Sequence, residues 1–170
     1  MQKQPPKPSG PPAFGTLLSR RPDALAVLEG SPDYPAVSGI VRLFQTGYGV
    51  VLSATVTGLP APEGACHAPI FALHIHEGGD CTGDHDDPFA KAMGHYNPDG
   101  CPHPYHAGDL PPLFGCDGNA FTAVLTNRFA VKEVLGRAVI IHGGVDDFTS
   151  QPAGNAGRRI ACGIIRPVRR

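Results

Sequence analysis

The chain has 170 residues and a formal net charge of −1 with histidine neutral, so its overall charge gives no reason to expect binding to nucleic acid or to a membrane surface. It contains no apolar run of about 18 residues, the length that spans a bilayer, and its N-terminus lacks the apolar stretch of a secretory signal. We therefore expect a cytoplasmic protein, although an exported form stays open if a leader was removed.

Composition divides the chain into a tail and one folded domain. Residues 1–22 contain five prolines by position 12 and no acidic residue, which predicts a disordered N-terminal tail. Residues 23–170 hold most of the 22 glycines, which punctuate short apolar runs. This pattern predicts a single all-β domain.

From residue 23 onward, apolar and polar side chains alternate in short segments, as they do in β-strands. The predicted strands cover residues 24–28, 39–44, 50–57, 70–76, 120–126, 137–142 and 159–165. Residues 131–137 are compatible with a short helical turn or with the start of a strand. About eight short strands without a long helical pattern predict an antiparallel sandwich or barrel. Residues 77–118 and 143–158 lack the alternation and are expected to be functional loops.

The fourth predicted strand, IFALHIH, carries two histidines on one side. Phe71, Leu73 and Ile75 face one way and are expected to enter the core, so His74 and His76 face the other way. The two imidazoles then lie about 7 Å apart along the strand. Their ring nitrogens can therefore converge on one metal ion.

Further ligand types follow in the loop and at the end of a later strand. Three histidines and one aspartate lie within 15 residues, which is a closed four-ligand zinc set: His95, His103, His106 and Asp109. His142 ends the strand over residues 137–142. Together with His74, His76 and one more imidazole it forms a nitrogen-rich set of the kind that binds copper.

Five motifs occur in order between about residues 24 and 166: HIHEGGDC, GHYNP, HAGDL, IIHGGVDD and GNAGRRIACG. They closely resemble the motifs of the copper/zinc superoxide dismutases. The resemblance implies the fold of that family, an eight-stranded antiparallel Greek-key β-sandwich or barrel with an immunoglobulin-like arrangement of strands. It also implies long metal-binding loops. It also implies an enzyme that disproportionates superoxide to dioxygen and hydrogen peroxide, with copper and zinc as cofactors. Members of the family pair as homodimers through faces that differ between lineages.

The resemblance assigns a role to each ligand candidate. It implies that copper is bound by His74, His76, His95 and His142, and zinc by His95, His103, His106 and Asp109. His95 is then the bridging histidine, and during the reaction it leaves copper, takes up a proton and stays on zinc. Asp146 is implied to connect the two sites through hydrogen bonds to ligand histidines.

A catalytic arginine is also implied by the resemblance. Arg159 matches the residue that guides superoxide to copper and holds it there, although Arg158 is adjacent and competes for the same assignment. His95 and Arg159 are thus the two expected catalytic residues. Two other histidines match no ligand and are interpreted as ordinary loop residues: His67 and His85.

The chain has five cysteines. The resemblance implies an intrasubunit disulfide between Cys81 and Cys162, which ties a metal-bearing loop to the last strand. Cys101 and Cys116 flank three of the zinc ligands, which motivates the hypothesis of a second disulfide between them. Cys66 would then be a free thiol.

Two loops are shorter than is usual in the family, which keeps alternatives open. Two residues separate His103 from His106, and residues 148–158 contain no lysine and no acidic residue. The first alternative is a non-enzymatic copper- and zinc-binding member of the same fold. The second is a copper-only superoxide dismutase with a vestigial zinc site. The third alternative is a structural sandwich whose histidines are incidental. Seven positions that match ligands of the family argue against it.

Overall fold

The structure is a computed structural model that describes residues 13–61, 64 and 69–169. Its ten strands are β1 (Ala24–Gly30), β2 (Ser38–Thr46), β3 (Gly49–Thr57), β4 (Ile70–Phe71), β5 (Leu73–Ile75), β6 (Leu113–Cys116), β7 (Asn119–Thr126), β8 (Ala138–His142), β9 (Arg159–Ile164) and β10 (Arg166–Pro167). Two short helices, α1 (Phe14–Leu18) and α2 (Val131–Val134), and a 3₁₀ turn (Ala90–Ala92) are the helical elements of these ranges. Within them, no helix has the length and apolar character that a membrane crossing requires.

All strands belong to one antiparallel sheet. Neighbours follow the order β4-β6-β7-β3-β2-β1-β9-β8-β5, and β10 adds to β1. The first three strands are sequential neighbours, whereas β7 returns beside β3 and β9 returns beside β1. This arrangement confirms the prediction of an all-β antiparallel Greek-key barrel.

The predicted strand over residues 70–76 is broken, and the break closes the barrel. β4 pairs with β6 at one end of the sheet order, while β5 pairs with β8 at the other end. Ala72 lies between them: its N–H donates to the Gly144 carbonyl (2.8 Å), and its carbonyl accepts from the His142 N–H (2.9 Å). The two ends of the sheet are therefore joined through one residue, and the single predicted strand is two.

The core is formed by the inward faces of the strands. Phe71, Leu73 and Ile75 are buried in it as predicted, which directs the intervening His74 to the opposite side. Each such apolar side chain contributes about 1.5–3 kcal/mol when it is fully buried. The alternation predicted for β3 is also observed, since four of its side chains lie in the same core: Val50, Leu52, Ala54 and Val56.

α1 corrects part of the predicted disordered tail. Leu17 is 5% exposed and lies against Phe44 and Val51, both fully buried on the outer side of β2 and β3. Without the helix these two apolar side chains would be exposed on the outside of the sheet. The burial gained when a leucine covers them is enough to order a short helix. Disorder is therefore wrong for Phe14–Leu18. Residues 1–12 lie outside the described residues, so the tail and its boundary at residue 22 stay predictions.

Two short strands were not expected. β6 lies within the predicted loop 77–118, and β10 lies in the C-terminal segment beyond the last predicted strand. Each is too short for apolar alternation to develop, and each forms by pairing with a strand that already exists. α2 settles residues 131–137 as a helical turn.

One of the two expected disulfides is present. Cys81 and Cys162 are bonded, with their Cα atoms 5.7 Å apart, which confirms the first. Cys101 and Cys116 are free thiols, so the second is wrong. The side chain of Asn97 fixes the loop at Cys101 by bonding both its N–H (2.9 Å) and its carbonyl (2.8 Å), whereas Cys116 is exposed in the β6–β7 hairpin. Cys66 lies outside the described residues.

Candidate metal centre

Four histidines converge where β5 and β8 end. His74 lies on β5, His76 follows it, His142 ends β8, and His95 comes from the loop that pairs back onto His76. One ring nitrogen from each lies within 4.8 Å of the others, and all four residues are buried. We call this the four-histidine group.

A second group lies beside the first and shares His95 with it. Its members are His95, His103, His106 and Asp109, whose ligand atoms also lie within 4.8 Å of one another and which are all buried. We call this the three-histidine–aspartate group. Most of it comes from a short loop, which the Gly108 N–H ties to the Tyr96 carbonyl (2.8 Å).

Hydrogen bonds fix which nitrogen of His76 and His142 is free. Nδ1 of His76 lies 2.8 Å from the Met93 carbonyl, and Nδ1 of His142 lies 3.2 Å from the Gly157 carbonyl. A carbonyl can only accept, so each Nδ1 carries the proton and each Nε2 carries a lone pair. The two Nε2 atoms face each other at 3.3 Å. A cation between them would turn this repulsion into coordination.

Asp146 fixes two further rings. Its Oδ2 accepts from Nε2 of His74 and its Oδ1 accepts from Nε2 of His103, both at 2.8 Å. The Nδ1 atoms of His74 and His103, like Nε2 of His95, are buried without a hydrogen-bond partner. Nδ1 of His103 lies 3.1 Å from a carboxylate oxygen of Asp109, but outside hydrogen-bond geometry. Buried lone pairs of this kind are what a metal ion satisfies.

His95 presents one nitrogen to each group. Its Nδ1 lies 2.8 Å from Oδ1 of Asp109 and 3.4 Å from Nδ1 of His106. Its Nε2 is the unpartnered atom on the other edge of the ring, among the nitrogens of the four-histidine group. The ring can therefore contact a metal ion in each group.

Burial keeps three rings of the four-histidine group neutral, those of His74, His76 and His142. Loss of hydration lowers the pKa of His76 to about 2 and that of His142 to about 3, and it also lowers the pKa of His74. The charge of Arg159 adds to the effect at His76 and His142. Neutral imidazole is the form that binds metal ions, so these rings are ready ligands at neutral pH.

The two aspartates of the site are ionised. Burial tends to raise the pKa of Asp109, but the hydrogen bond from His95 and the charges of nearby histidines outweigh it and hold that pKa below its usual value. Burial opposes ionisation of Asp146 as well, and hydrogen bonds from His74, the Phe148 N–H and His103 hold its pKa well below the usual range. Both carboxylates thus add negative charge where cations would bind.

Arg159 is held beside the four-histidine group. Its guanidinium donates to the carbonyls of Phe89 and Met93 (2.6 Å each), and Nη1 lies 3.4 Å from Asp87. The Met93 carbonyl also accepts from His76, so one backbone group orients both the cation and a ligand. The Arg159 side chain is 18% exposed, which leaves its charge within reach of a solvent anion.

Comparison with known proteins agrees with this geometry. The copper/zinc superoxide dismutase (SODC) family matches residues 37–165. A superoxide dismutase [Cu-Zn] 2 from Aquifex aeolicus is 41% identical over 145 residues, which cover 76% of this chain and 80% of the relative. The chain belongs to the copper/zinc superoxide dismutase family. The resemblance of the sequence motifs to this family is therefore confirmed.

Two other relatives show the range of the family. Superoxide dismutase [Cu-Zn] 1 from Aquifex aeolicus is 38% identical over 144 residues, covering 75% of this chain and 79% of the relative. A copper chaperone for superoxide dismutase from Rattus norvegicus is 33% identical over 156 residues, covering 84% of this chain and 52% of the relative. The family resemblance therefore includes proteins with different names and roles.

Several predicted residues lie away from the two groups. Arg158 is exposed and pairs with Asp33 at 2.8 Å, so of the two adjacent arginines only Arg159 turns toward the histidines. His85 is exposed and joins neither group, in line with its interpretation as a loop residue. His67 lies outside the described residues.

Sequence reasoning missed the groups that orient the ligands. The Met93 and Gly157 carbonyls are backbone acceptors, which any residue type supplies and no sequence signal marks. Gln151 bonds the backbone of His103 twice, and Arg128 donates to the carbonyls of Pro104 and His106. A polar side chain in a glycine-rich loop was the only available signal for Gln151.

The structure explains why the first residue of the GNAG motif, Gly154, is a glycine. Its φ of +67° lies in the left-handed region, and a Cβ atom there would collide with the Asp146 carboxylate and come within 2.7 Å of the His103 ring. The residue therefore leaves room for the hydrogen bonds that Asp146 makes to the two groups.

Proposed function

We propose that the chain disproportionates superoxide to dioxygen and hydrogen peroxide at a copper ion linked to a zinc ion through His95. The observation that carries this proposal is that one buried imidazole offers a nitrogen to each of two ligand groups. Membership of the family supports copper and zinc as the metals. The two Aquifex aeolicus relatives named Cu-Zn superoxide dismutase support the reaction.

The donor sets support one assignment of the metals. An all-imidazole set suits copper, so we propose that copper is held by Nδ1 of His74 and by Nε2 of three further rings: His76, His95 and His142. A set with a carboxylate suits zinc, so we propose that zinc is held by Asp109 and by Nδ1 of three rings: His95, His103 and His106. The copper assignment uses the unpartnered Nδ1 of His74 and Nε2 of His95, and the zinc assignment uses the unpartnered Nδ1 of His103.

When bound, copper supplies the one-electron chemistry by which one superoxide is oxidised and a second is reduced. The protons of hydrogen peroxide must come from the protein and from water. In the proposed mechanism His95 takes up a proton at Nε2 and gives it to the product, while its Nδ1 stays oriented by the three-histidine–aspartate group. Asp146 keeps His74 and His103 in fixed tautomers throughout.

Arg159 is proposed to receive the substrate. Superoxide is an anion, and the guanidinium lies close enough for its charge to lower the pKa of both His76 and His142. A hollow of about 340 Å³ is lined by His142 of the four-histidine group, together with Gln151 and Gly157 among others. A fixed cation beside a metal site raises the local concentration of a small anion, although the chain as a whole is near neutral.

Two alternatives are weighed against this function. The relative named as a copper chaperone favours metal delivery without catalysis, but this chain retains every candidate ligand and a cation beside the four-histidine group. The short loop favours a copper-only enzyme, but the three-histidine–aspartate group is fully assembled and buried. The cytoplasmic location expected from composition stays a prediction.

The test of the function is the rate of superoxide loss with copper- and zinc-loaded protein at low and moderate ionic strength. We expect a fast, salt-sensitive rate that disappears when copper is removed. Arg159→Ala should lower the second-order rate constant by about tenfold and flatten its salt dependence. Arg158→Ala is the matched control and should leave the rate near that of the unchanged protein. A rate no better than free copper would contradict the function.

We also propose that two copies of the chain pair through the outer face of β3, β6 and β7. Phe114 and Phe121 are 67% and 62% exposed on adjacent strands, and Thr55 lies opposite Phe121 on β3. These three strands contain no charged residue. A two-fold contact buries the same patch of both copies, so an uncharged aromatic face can meet itself without repulsion.

Light scattering of the metal-loaded protein tests this contact. We expect a dimer that dissociates in Phe121→Asp, because an isologous contact would bury an unpaired carboxylate from each copy in an apolar face. Leu135→Asp, at another exposed apolar position, is the control and should remain dimeric. A monomer at every concentration, or a dimer that survives Phe121→Asp, would refute the proposed face.

A further inference from the structure

We propose that Arg128 is a positioning residue for zinc, since it holds the ligand loop from outside the site. One nitrogen of its guanidinium, Nη1, lies 3.3 Å from the Pro104 carbonyl, 3.2 Å from the His106 carbonyl and 3.3 Å from the Asp109 carbonyl. Two of these three acceptors belong to residues of the three-histidine–aspartate group. The proposal rests on the zinc site proposed above.

The loop needs such support because it contains no helix or strand. Between Pro102 and Asp109 its backbone forms two turn hydrogen bonds, from Tyr105 to Pro102 (2.9 Å) and from Asp109 to His106 (3.2 Å). Loop carbonyls with few hydrogen bonds would turn toward water and carry the attached ligands with them. Arg128 gathers three loop carbonyls onto one cationic donor, including that of His106, which also accepts from the Asp109 N–H.

The anchor itself is fixed to the barrel. Arg128 follows the end of β7 closely, and its N–H donates to the Thr126 hydroxyl at 3.2 Å. No carboxylate of the described residues forms an ion pair with its guanidinium, so its charge is directed at the loop carbonyls. Hydrogen bonds from a charged donor are stronger than those between neutral groups. Arg128 therefore ties His106 and Asp109 to the end of β7, in addition to the Ile75 N–H of β5, which donates to the Gly108 carbonyl (2.9 Å).

Gln151 restrains the other end of the loop in a different way. Its side chain accepts from the His103 N–H (3.0 Å) and donates to the His103 carbonyl (2.7 Å). His103 is thus oriented from the loop over residues 143–158, whereas His106 and Asp109 are oriented from the barrel. Loss of Arg128 should therefore relax two zinc ligands while the four-histidine group, which does not contact it, keeps its geometry.

Zinc affinity, measured by competition with a chromogenic chelator, is the primary test. Arg128→Met keeps the apolar part of the side chain and removes the donors, and we expect it to raise the zinc dissociation constant by about 10- to 100-fold. Copper affinity, measured on the zinc-loaded chain, should change by less than about threefold. Arg20→Ala removes an exposed arginine that pairs with Asp23 and should change neither affinity.

Cobalt provides a readout that a general loss of stability would not change. Co(II) bound in place of zinc should show a weaker or shifted visible absorption in Arg128→Met, because its ligands lie in altered geometry. Arg128→Lys keeps the charge and should restore part of the zinc affinity. If Arg128→Met does not fold, Arg128→Lys becomes the test. The proposal is then overturned if the zinc affinity and the cobalt spectrum of Arg128→Lys are identical to those of the unchanged protein. Zinc affinity unchanged in Arg128→Met, or equal losses of zinc and copper, also overturn it. Failure of the unchanged protein to bind zinc would instead refute the proposed zinc site.

Discussion

The two ligand groups are built from different parts of the fold. The four-histidine group takes His74, His76 and His142 from the ends of two paired strands, so the sheet itself sets their spacing. The three-histidine–aspartate group takes its ligands from a loop, and side chains from elsewhere hold that loop in place. A site on strands needs few helpers, whereas a site on a loop depends on them.

The largest expected effect comes from removing a ligand that belongs to one group alone. In His76→Ala we expect superoxide dismutation to fall by at least about 100-fold, because the proposed copper site loses a strand-borne ligand. Zinc content should stay at the level of the unchanged protein, since His76 does not belong to the other group. Metal analysis and activity assays of the same sample check both statements. Loss of zinc together with activity would show that the two groups do not form independently.

The next effect comes from Asp146, the residue that joins the groups. Asp146→Asn replaces one acceptor oxygen with a donor, so either His74 or His103 must lose its hydrogen bond or change its tautomer. We expect zinc affinity to fall by about 10- to 100-fold, and copper affinity to fall less because β5 still places His74. Chelator competition for each metal measures both. Asp86→Asn, at an exposed position, is the control. A larger loss of copper affinity than of zinc affinity in Asp146→Asn would contradict the expectation that the loop-borne group depends more on Asp146.

The smallest effect is a pH dependence that arises from His74, His76 and His142. The folded pKa values of His76 and His142, about 2 and about 3, lie below the value of about 6.5 in an unfolded chain, and that of His74 is also lowered. Below pH 6.5 the unfolded metal-free chain therefore binds more protons than the folded chain does. The free energy of unfolding that these histidines contribute is fully present above that pH and is lost as the pH falls toward 3. We expect a loss on the order of 1 kcal/mol per pH unit for each histidine.

Urea unfolding of the metal-free protein at pH 7 and pH 5 measures this slope. The low pKa values of Asp109 and Asp146 stabilise the fold above the usual aspartate pKa near 4, so their contribution does not change between these two pH values. His142→Gln removes one titrating ring and should reduce the slope. A free energy of unfolding that is equal at pH 7 and pH 5 would contradict the buried, neutral state of these rings.

Much of the fold followed from alternation in the sequence, because strands that bury one face must alternate. The exceptions arise where pairing or packing between distant residues decides the outcome. Ala72 interrupts a strand because both edges of the barrel meet there, and α1 forms because Phe44 and Val51 offer an apolar surface to Leu17. Neither effect is visible within the local segment.

The residue types of the candidate site were also available from the sequence, but their orientation was not. The motifs supplied the ligand candidates, whereas the choice of ring nitrogen depends on carbonyls such as those of Met93 and Gly157. The expected second disulfide shows the limit of reasoning from position, since Cys101 and Cys116 flank the same loop and are not bonded. Arg128 lies outside every motif and was found through its contacts alone.

In the proposed function, His95 contacts a metal ion in each group at the same time. Electron paramagnetic resonance of protein loaded with Cu(II) in the first group and Co(II) in the second tests it, with the copper and zinc form as reference. We predict that the Cu(II) signal is strongly reduced when Co(II) replaces zinc, because the shared imidazole couples the two unpaired-electron centres. An undiminished Cu(II) signal, in a sample shown to hold one ion of each metal per chain, would contradict the shared histidine.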